Sequence, residues 1–275
     1  MLKYLIIALA LSTSLIGATN VEVKKFLKNS IGKNPNIVKF KVDVLSRQKL
    51  DAPKGWEAVI VELDADAKMG GTVRAIKQKM IYFTKGKFIT PDLIDIRNGK
   101  NLKETITPKF KNSYYNSKNL ISGYANSKHK VVIFSDPLCP YCRQAVPEAI
   151  NYMKKYPKEF AVYYYHLPLA ALHPAAVTLV KAAIVAEQKG LKNVVLRLYK
   201  VETGANSKPQ VALNAFNKLF RTKITLKDIK SSKVLKHYKH DENVAASLMV
   251  NGTPTFFFDG KKDRRKNLYK KVKIK

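Results

Sequence analysis

The chain has 275 residues, a formal net charge of +31 (51 Lys and Arg against 20 Asp and Glu) and two cysteines. With 46% apolar residues and 10% aromatics it has the material for a real core, which excludes a disordered tail and a miniprotein held by disulfide staples. The length allows one or two domains.

The first twenty residues read MLKYLIIALALSTSLIGATN: one Lys near the start, an apolar stretch from Leu5 that is less pure after Leu11, then the small pair Gly17-Ala18. That order is the signature of a cleaved secretory signal peptide over residues 1–18. The apolar run is too short to span a bilayer. The mature chain is therefore expected in the periplasm, an oxidising compartment.

Residues 19–96 read as a small α+β domain. Val21 to Leu27 repeats like a short amphipathic helix and Asn34-Pro35-Asn36 breaks the chain. Ile37 to Val44 and Trp56 to Leu63 are strand-like, and Met80 to Thr84 with Phe88 to Thr90 make a hairpin around Gly86. Residues 97–129, rich in Asn, Lys and Ser, read as a linker, partly helical from Pro108 to Leu120.

Residues 130–275 follow an α/β order. Lys130 to Asp136 is a continuous apolar strand of the kind buried on both faces. Cys139-Pro140-Tyr141-Cys142 then opens a helix that Pro157 stops, and Phe160 to His166 is a second, aromatic strand. Several helical segments make an insertion over about 170–232, and a last helix runs from about Lys233 to Leu248. Gly252-Thr253-Pro254 opens a strand from Thr255 to Phe258. The basic tail, Lys261 to Lys275, reads as a frayed solubilising end or a contact for acidic lipid or a partner.

Both cysteines fall in one Cys-x-x-Cys, a spacing that marks a redox switch or half a metal site. Zinc wants four ligands, and the matching histidines, His237 and His240, lie far downstream, so no metal is expected. Cys139, at the helix start, has free backbone N–H groups and the positive dipole end to favour its thiolate; it is the expected nucleophile. Cys142, one turn on, is the expected resolving thiol. No cofactor is needed beyond this redox-active pair. Pro140 suits a first helical turn, and Tyr141 offers a neutral hydroxyl. Asp136 is a candidate cap for the preceding turn or a proton acceptor near Cys142. Arg143 could bias Cys139 toward thiolate or be solvated, and His166 and His173 read as structural. Thr253 and Pro254 read as a turn whose backbone, with a cis Pro254, would pair with an extended client peptide beside the thiolate.

The run from Phe134 to Cys142, together with Gly252-Thr253-Pro254, resembles the exported thioredoxin-fold thiol:disulfide oxidoreductases. The hairpin from Met80, the linker and the strand ending in Cys-x-x-Cys resemble the DsbC/DsbG group of periplasmic disulfide isomerases. The resemblance implies an α/β thioredoxin-like domain with a helical insertion, preceded by a small α+β N-terminal dimerisation domain. Of that fold, the last strand and closing helix are expected to be short, unusual or missing. The activity implied is isomerase or reductase of misformed disulfides, with a DsbA-like dithiol oxidase and a chaperone or peptide-binding module as alternatives. Implied partners are unfolded or misoxidised exported proteins, a membrane redox partner that resets the dithiol, and a second copy in a homodimer. Nucleic acid is not expected: the lysines are spread along the chain and read as a solvated surface.

Overall fold

The computed structural model describes residues 17–69 and 71–274. Apart from Gly17 and Ala18, the signal-peptide reading lies outside the described residues. The chain divides into two compact units, Met1–Pro108 and Lys109–Lys275.

In the first unit, helix α1 (Asn20–Ile31) starts at a capping box: Thr19 Oγ1 accepts the Glu22 N–H at 3.2 Å, and Glu22 Oε2 accepts the Thr19 N–H at 2.7 Å. Strands β1 (Ile37–Lys49), β2 (Glu57–Met69), β3 (Thr72–Lys85) and β4 (Phe88–Thr90) form an antiparallel meander in that order. Val23 and Leu27 of α1 pack on Val42, Val59, Val61 and Leu63, so the helix covers one face of this sheet. The first three strands are longer than the sequence reading. Its segments were the apolar stretches, whereas the largely exposed run from Thr72 to Lys79 is held by pairing with β2, which needs no burial. Two-residue strands β5 (Ile94–Asp95) and β6 (Lys100–Asn101) pair with each other.

The second unit contains β7 (Leu120–Ser122), β8 (His129–Ser135), α2 (Pro140–Lys154), β9 (Phe160–His166), α3 (Pro174–Gln188), α4 (Val194–Leu198), α5 (Pro209–Phe220), α6 (Ser232–Ser247), β10 (Thr255–Phe258) and β11 (Lys261–Asp263). Its sheet runs β11-β10-β8-β9-β7, with β8 and β9 parallel and the other pairs antiparallel. Alternation explains why β8 is apolar throughout. Val131 and Ile133 face the core built with Val146, Ile150 and Met153 of α2, while Val132 and Phe134 face the core built with Val244 and Ala245 of α6. The three consecutive tyrosines of β9 obey the same rule: Tyr164 joins the first core, Tyr163 and Tyr165 the second. Helices α3 to α5 close their own core around Leu179, Ala183, Leu213 and Phe216.

Two segments differ from the sequence reading. In place of a partly helical linker, residues 112–114 and 117–119 are single 3-10 turns and β7 is an edge strand on β9. Asn116 caps the second of these turns by accepting the Lys118 N–H, and Tyr114 and Asn119 are buried. Gly123 bends the chain after β7 at φ 78°, where an added Cβ would strike the Phe160 carbonyl oxygen. The basic tail is not frayed. Asp259 and Gly260, both at positive φ, make the two-residue turn into β11. Asp263 accepts the Lys266 and Leu268 N–H groups, and Tyr269 is buried against the α2 side of the sheet, with Val272 and Ile274 packed beside it. Lysines between these apolar positions hid them from a compositional reading.

Candidate active site

Strand β8 delivers the chain at the carboxyl end of the parallel pair, where α/β sheets place their sites. Cys139 is the N-cap of α2, with extended backbone, and its carbonyl accepts the first helical bond from the Arg143 N–H at 3.0 Å. Pro140 occupies the first turn, where its missing N–H leaves nothing unpaired. Cys142, one turn along, is fully buried; Cys139 is 6% exposed and Tyr141 75% exposed. Both cysteines are free thiols.

The Thr253–Pro254 peptide is cis, and the Thr253 carbonyl accepts from Cys139 Sγ at 3.6 Å. The structure thus brings Cys139 and Thr253 together across 114 residues. The Thr253 hydroxyl is buried beside the Cys142 thiol.

Burial pushes the Cys142 thiol up to about 11, only partly offset by the Ser135 and Thr253 hydroxyls beside it. Tyr199 Oη donates to Ser135 Oγ at 2.7 Å, which leaves the Tyr164 hydroxyl to donate to Tyr199 at 2.7 Å. Burial raises both phenols, so they stay protonated donors. The result is a buried relay of hydroxyls ending at the Cys142 sulfur, where a thiolate formed during exchange would find a hydrogen bond. Sequence reasoning missed Ser135 and Tyr199 as members of this site. The one available signal was a lone serine closing an apolar strand.

Asp136 is fully buried. Its Oδ1 accepts the Leu138 N–H at 2.7 Å, and its Oδ2 accepts the Leu169 N–H at 2.8 Å and the His173 Nδ1–H at 2.9 Å. It fastens the turn before the cysteines to the loop that follows β9. Arg143 is neither solvated nor aimed at a thiolate: Nε donates to the Pro137 carbonyl at 2.9 Å and Nη2 to the Val201 carbonyl at 2.7 Å. His166 and His237 lie instead around the buried Asp241, whose carboxylate accepts the His166 N–H at 2.9 Å and the Asn119 amide at 3.0 Å. Among the described residues no group of three or more His, Cys, Asp or Glu side chains is placed to hold a metal.

A family model described as thioredoxin matches residues 116–273, more than half of the chain. The chain belongs to the thioredoxin family. That family is one of thioredoxin-like thiol:disulfide oxidoreductases. No curated protein matches it. Among solved structures it is similar to a thioredoxin-like oxidoreductase from Silicibacter pomeroyi DSS-3 (23% identity over 55% of this chain and 87% of that one, TM-score 0.45). It is also similar to DsbA2 of Pseudomonas aeruginosa (18%, 55% and 91%, TM-score 0.42). A periplasmic thioredoxin-like protein from Salmonella enterica serovar Typhimurium is similar at 20% identity over 59% of this chain and 95% of that one, with a TM-score of 0.46.

Proposed function

We propose that this thioredoxin-family chain is an exported, periplasmic thiol:disulfide oxidoreductase that acts on misformed disulfides as an isomerase or reductase. The observation that carries the reading is the pairing of a cysteine at the N-cap of α2, beside the Thr253 carbonyl, with a second cysteine buried one turn further and held protonated.

Cys139, as thiolate, attacks one sulfur of a client disulfide. A Cys139–client disulfide forms, and the departing client sulfur leaves as a thiolate that takes up a proton. Two exits follow. A client thiol can attack the mixed disulfide, which returns Cys139 and gives a rearranged client with no net redox change. Alternatively Cys142 loses its proton, attacks the Cys139 sulfur and releases a reduced client, leaving a Cys139–Cys142 disulfide. An external dithiol, the membrane redox partner of this scheme, must then reduce that disulfide. A resolving thiol raised to about 11 is slow to deprotonate, which lengthens the life of the mixed disulfide and favours the first exit. No cofactor enters either route.

The client peptide would lie along Thr253 and Pro254 as an added strand. Exposed Tyr141 and Leu172 offer it apolar contact, Leu172 from the loop that Asp136 fastens to the active-site turn. The N-terminal unit, with Leu45, Val73 and Phe88 exposed on its strands, would pair two copies.

The test is recovery of activity by ribonuclease with scrambled disulfides. Wild-type protein is expected to restore it and Cys139→Ser to abolish the effect, with Cys142→Ser accumulating mixed disulfides. If Cys139→Ser retained full activity, the thiol chemistry would be refuted in favour of a chaperone. If the wild-type pair were found oxidised in vivo, the DsbA-like oxidase reading would replace isomerase.

A further inference from the structure

The far end of α2 carries a different kind of site. By the rise of an α-helix, Lys154 lies about 18 Å along the axis from Cys142. A cavity of about 860 Å³ opens there, within the second unit and away from both cysteines. Its volume is that of a small-molecule site.

Its walls and its rim differ in chemistry. Apolar side chains from three elements line it, among them Ile121 after Leu120 of β7, Ile150 of α2, and Val194 and Val195 of α4. Ile150, Val194 and Val195 are buried. Five lysines stand around it: Lys118, Lys154, Lys192, Lys233 and Lys236. All five are exposed, and none makes an ion pair among the described residues; Lys154 bonds the neutral Asn193 amide at 2.7 Å. Against five cations the lining holds one carboxylate, Glu187. His237 and His240 also line it, both pushed down by burial and further by the Lys118 charge, and so neutral at pH 7. A low-dielectric concave wall under uncompensated positive charge concentrates anions. Apolar walls reward a ligand with a hydrocarbon or aromatic body.

We propose that this cavity is a second binding site, independent of the thiols, for a small amphipathic anion: an apolar body with a carboxylate or phosphate head seated among the five lysines. The positive charge that looks evenly spread in the sequence is here gathered from four separate segments onto one rim.

The experiment titrates the full chain with decanoate and with decyl phosphate, with decanol and inorganic pyrophosphate as controls. Binding is read by calorimetry and by shifts of the Ile121, Ile150 and Val195 methyl resonances. One or both anions should bind, more weakly as salt rises, and which binds tighter identifies the head group. The Lys118→Gln/Lys233→Gln/Lys236→Gln variant should weaken binding about tenfold. The corresponding triple Arg variant should retain it, and so should Cys139→Ser, which separates this site from the thiol chemistry. The proposal is overturned if neither anion binds, or if decanol binds as tightly as decanoate. Displacement of decanoate by pyrophosphate at equal concentration would also overturn it, as would unchanged affinity in the Gln variant.

Discussion

The two sheets of this chain solve the same problem in opposite ways. In the first unit one helix covers one face; among the described residues the other face is buried only at Ala58, Ile60, Ile81 and Phe83, and β1, β3 and β4 leave Leu45, Val73 and Phe88 in solvent. In the second unit helices cover both faces, and β8 and β9 are buried from Val131 to Phe134 and from Phe160 to His166. A two-faced sheet cannot slip by one residue without burying the wrong set on both sides. It is therefore the sheet on which a cysteine pair can be held in fixed geometry, at the point where β8 gives way to α2.

Truncating a ring in the two-faced sheet should break this contrast most strongly. Phe134 is fully buried, stacked on Tyr165 at 5.0 Å and edge-on to Phe257 at 6.0 Å. Phe134→Ala is expected to destabilise the second unit by about 3–5 kcal/mol. Val73→Thr at an exposed position of the first unit's sheet should change stability by less than about 0.5 kcal/mol. The chain carries its own reporters for the comparison. Trp56, the single tryptophan, follows unfolding of the first unit by fluorescence, and alkylation of the buried Cys142 in denaturant follows the second. Equal shifts of both transitions by Phe134→Ala would show that the two units do not unfold separately.

How much of this was legible depended on whether burial or pairing held the segment. The run from Lys130 to Asp136 announces a two-faced strand because every position from Val131 to Phe134 is apolar, and the cysteine spacing marks the helix start. The turns at 112–114 and 117–119 show no periodicity because they are single turns capped by side chains, and β7 is only three residues long. The hydroxyl relay was invisible because Ser135, Tyr164 and Tyr199 come from separate elements, 64 residues apart at the widest. The lysine rim escaped for the same reason. Composition reported the charge, but only the packing of the turn at 117–119, the end of α2, the segment before α4, and α6 around one cavity brings five lysines together.

Gly123 tests the edge strand that was read as linker. Its φ of 78° and the collision of any Cβ with the Phe160 carbonyl oxygen make Gly123→Ala costly, by about 2–3 kcal/mol. Hydrogen exchange should show the loss at β7 and β9 first, and an unperturbed variant would mean that β7 is not fastened to the sheet.

A sharper contrast comes from the titratable groups buried in the second unit. Burial raises Asp241 to about 7 and lowers His237 to about 4, and the two face each other at 3.7 Å. Between about pH 4 and 6.5 the folded pair holds its proton on Asp241, while in the unfolded chain it sits on His237. Each state binds one proton, so the pair contributes no pH slope there. Above that window, up to about pH 7, only the folded Asp241 still binds a proton, so stability falls as pH rises. Asp241→Asn removes the carboxylate and exposes the histidine alone. That variant should lose stability as pH falls from about 6.5 toward 4, at about 1.4 kcal/mol per pH unit. Denaturant midpoints followed by Cys142 alkylation, each corrected for the pH dependence of the reagent, would reveal the slope. A variant as flat as the wild type would show that His237 is not held neutral.

A smaller effect than those in the second unit belongs to the first unit's sheet, whose covering helix begins at the Thr19 capping box. Thr19→Ala removes the acceptor for the Glu22 N–H and should cost the first unit about 1 kcal/mol, read as a lower Trp56 midpoint with the Cys142 transition unmoved. The reciprocal bond from the Thr19 N–H is the main cause that holds the Glu22 carboxyl below its ordinary value. The stabilisation from that bond is thus fully present above the ordinary carboxylate pKa and is lost as pH falls through the lower, folded value. Acidification should therefore loosen α1 from its N-terminus in the wild type, whereas Glu22→Gln, which keeps an acceptor without a titrating group, should be indifferent to pH over the same range. If Glu22→Gln showed the same acid sensitivity as the wild type, the loosening would arise elsewhere in the sheet and the capping box would not be what holds the single helix over it.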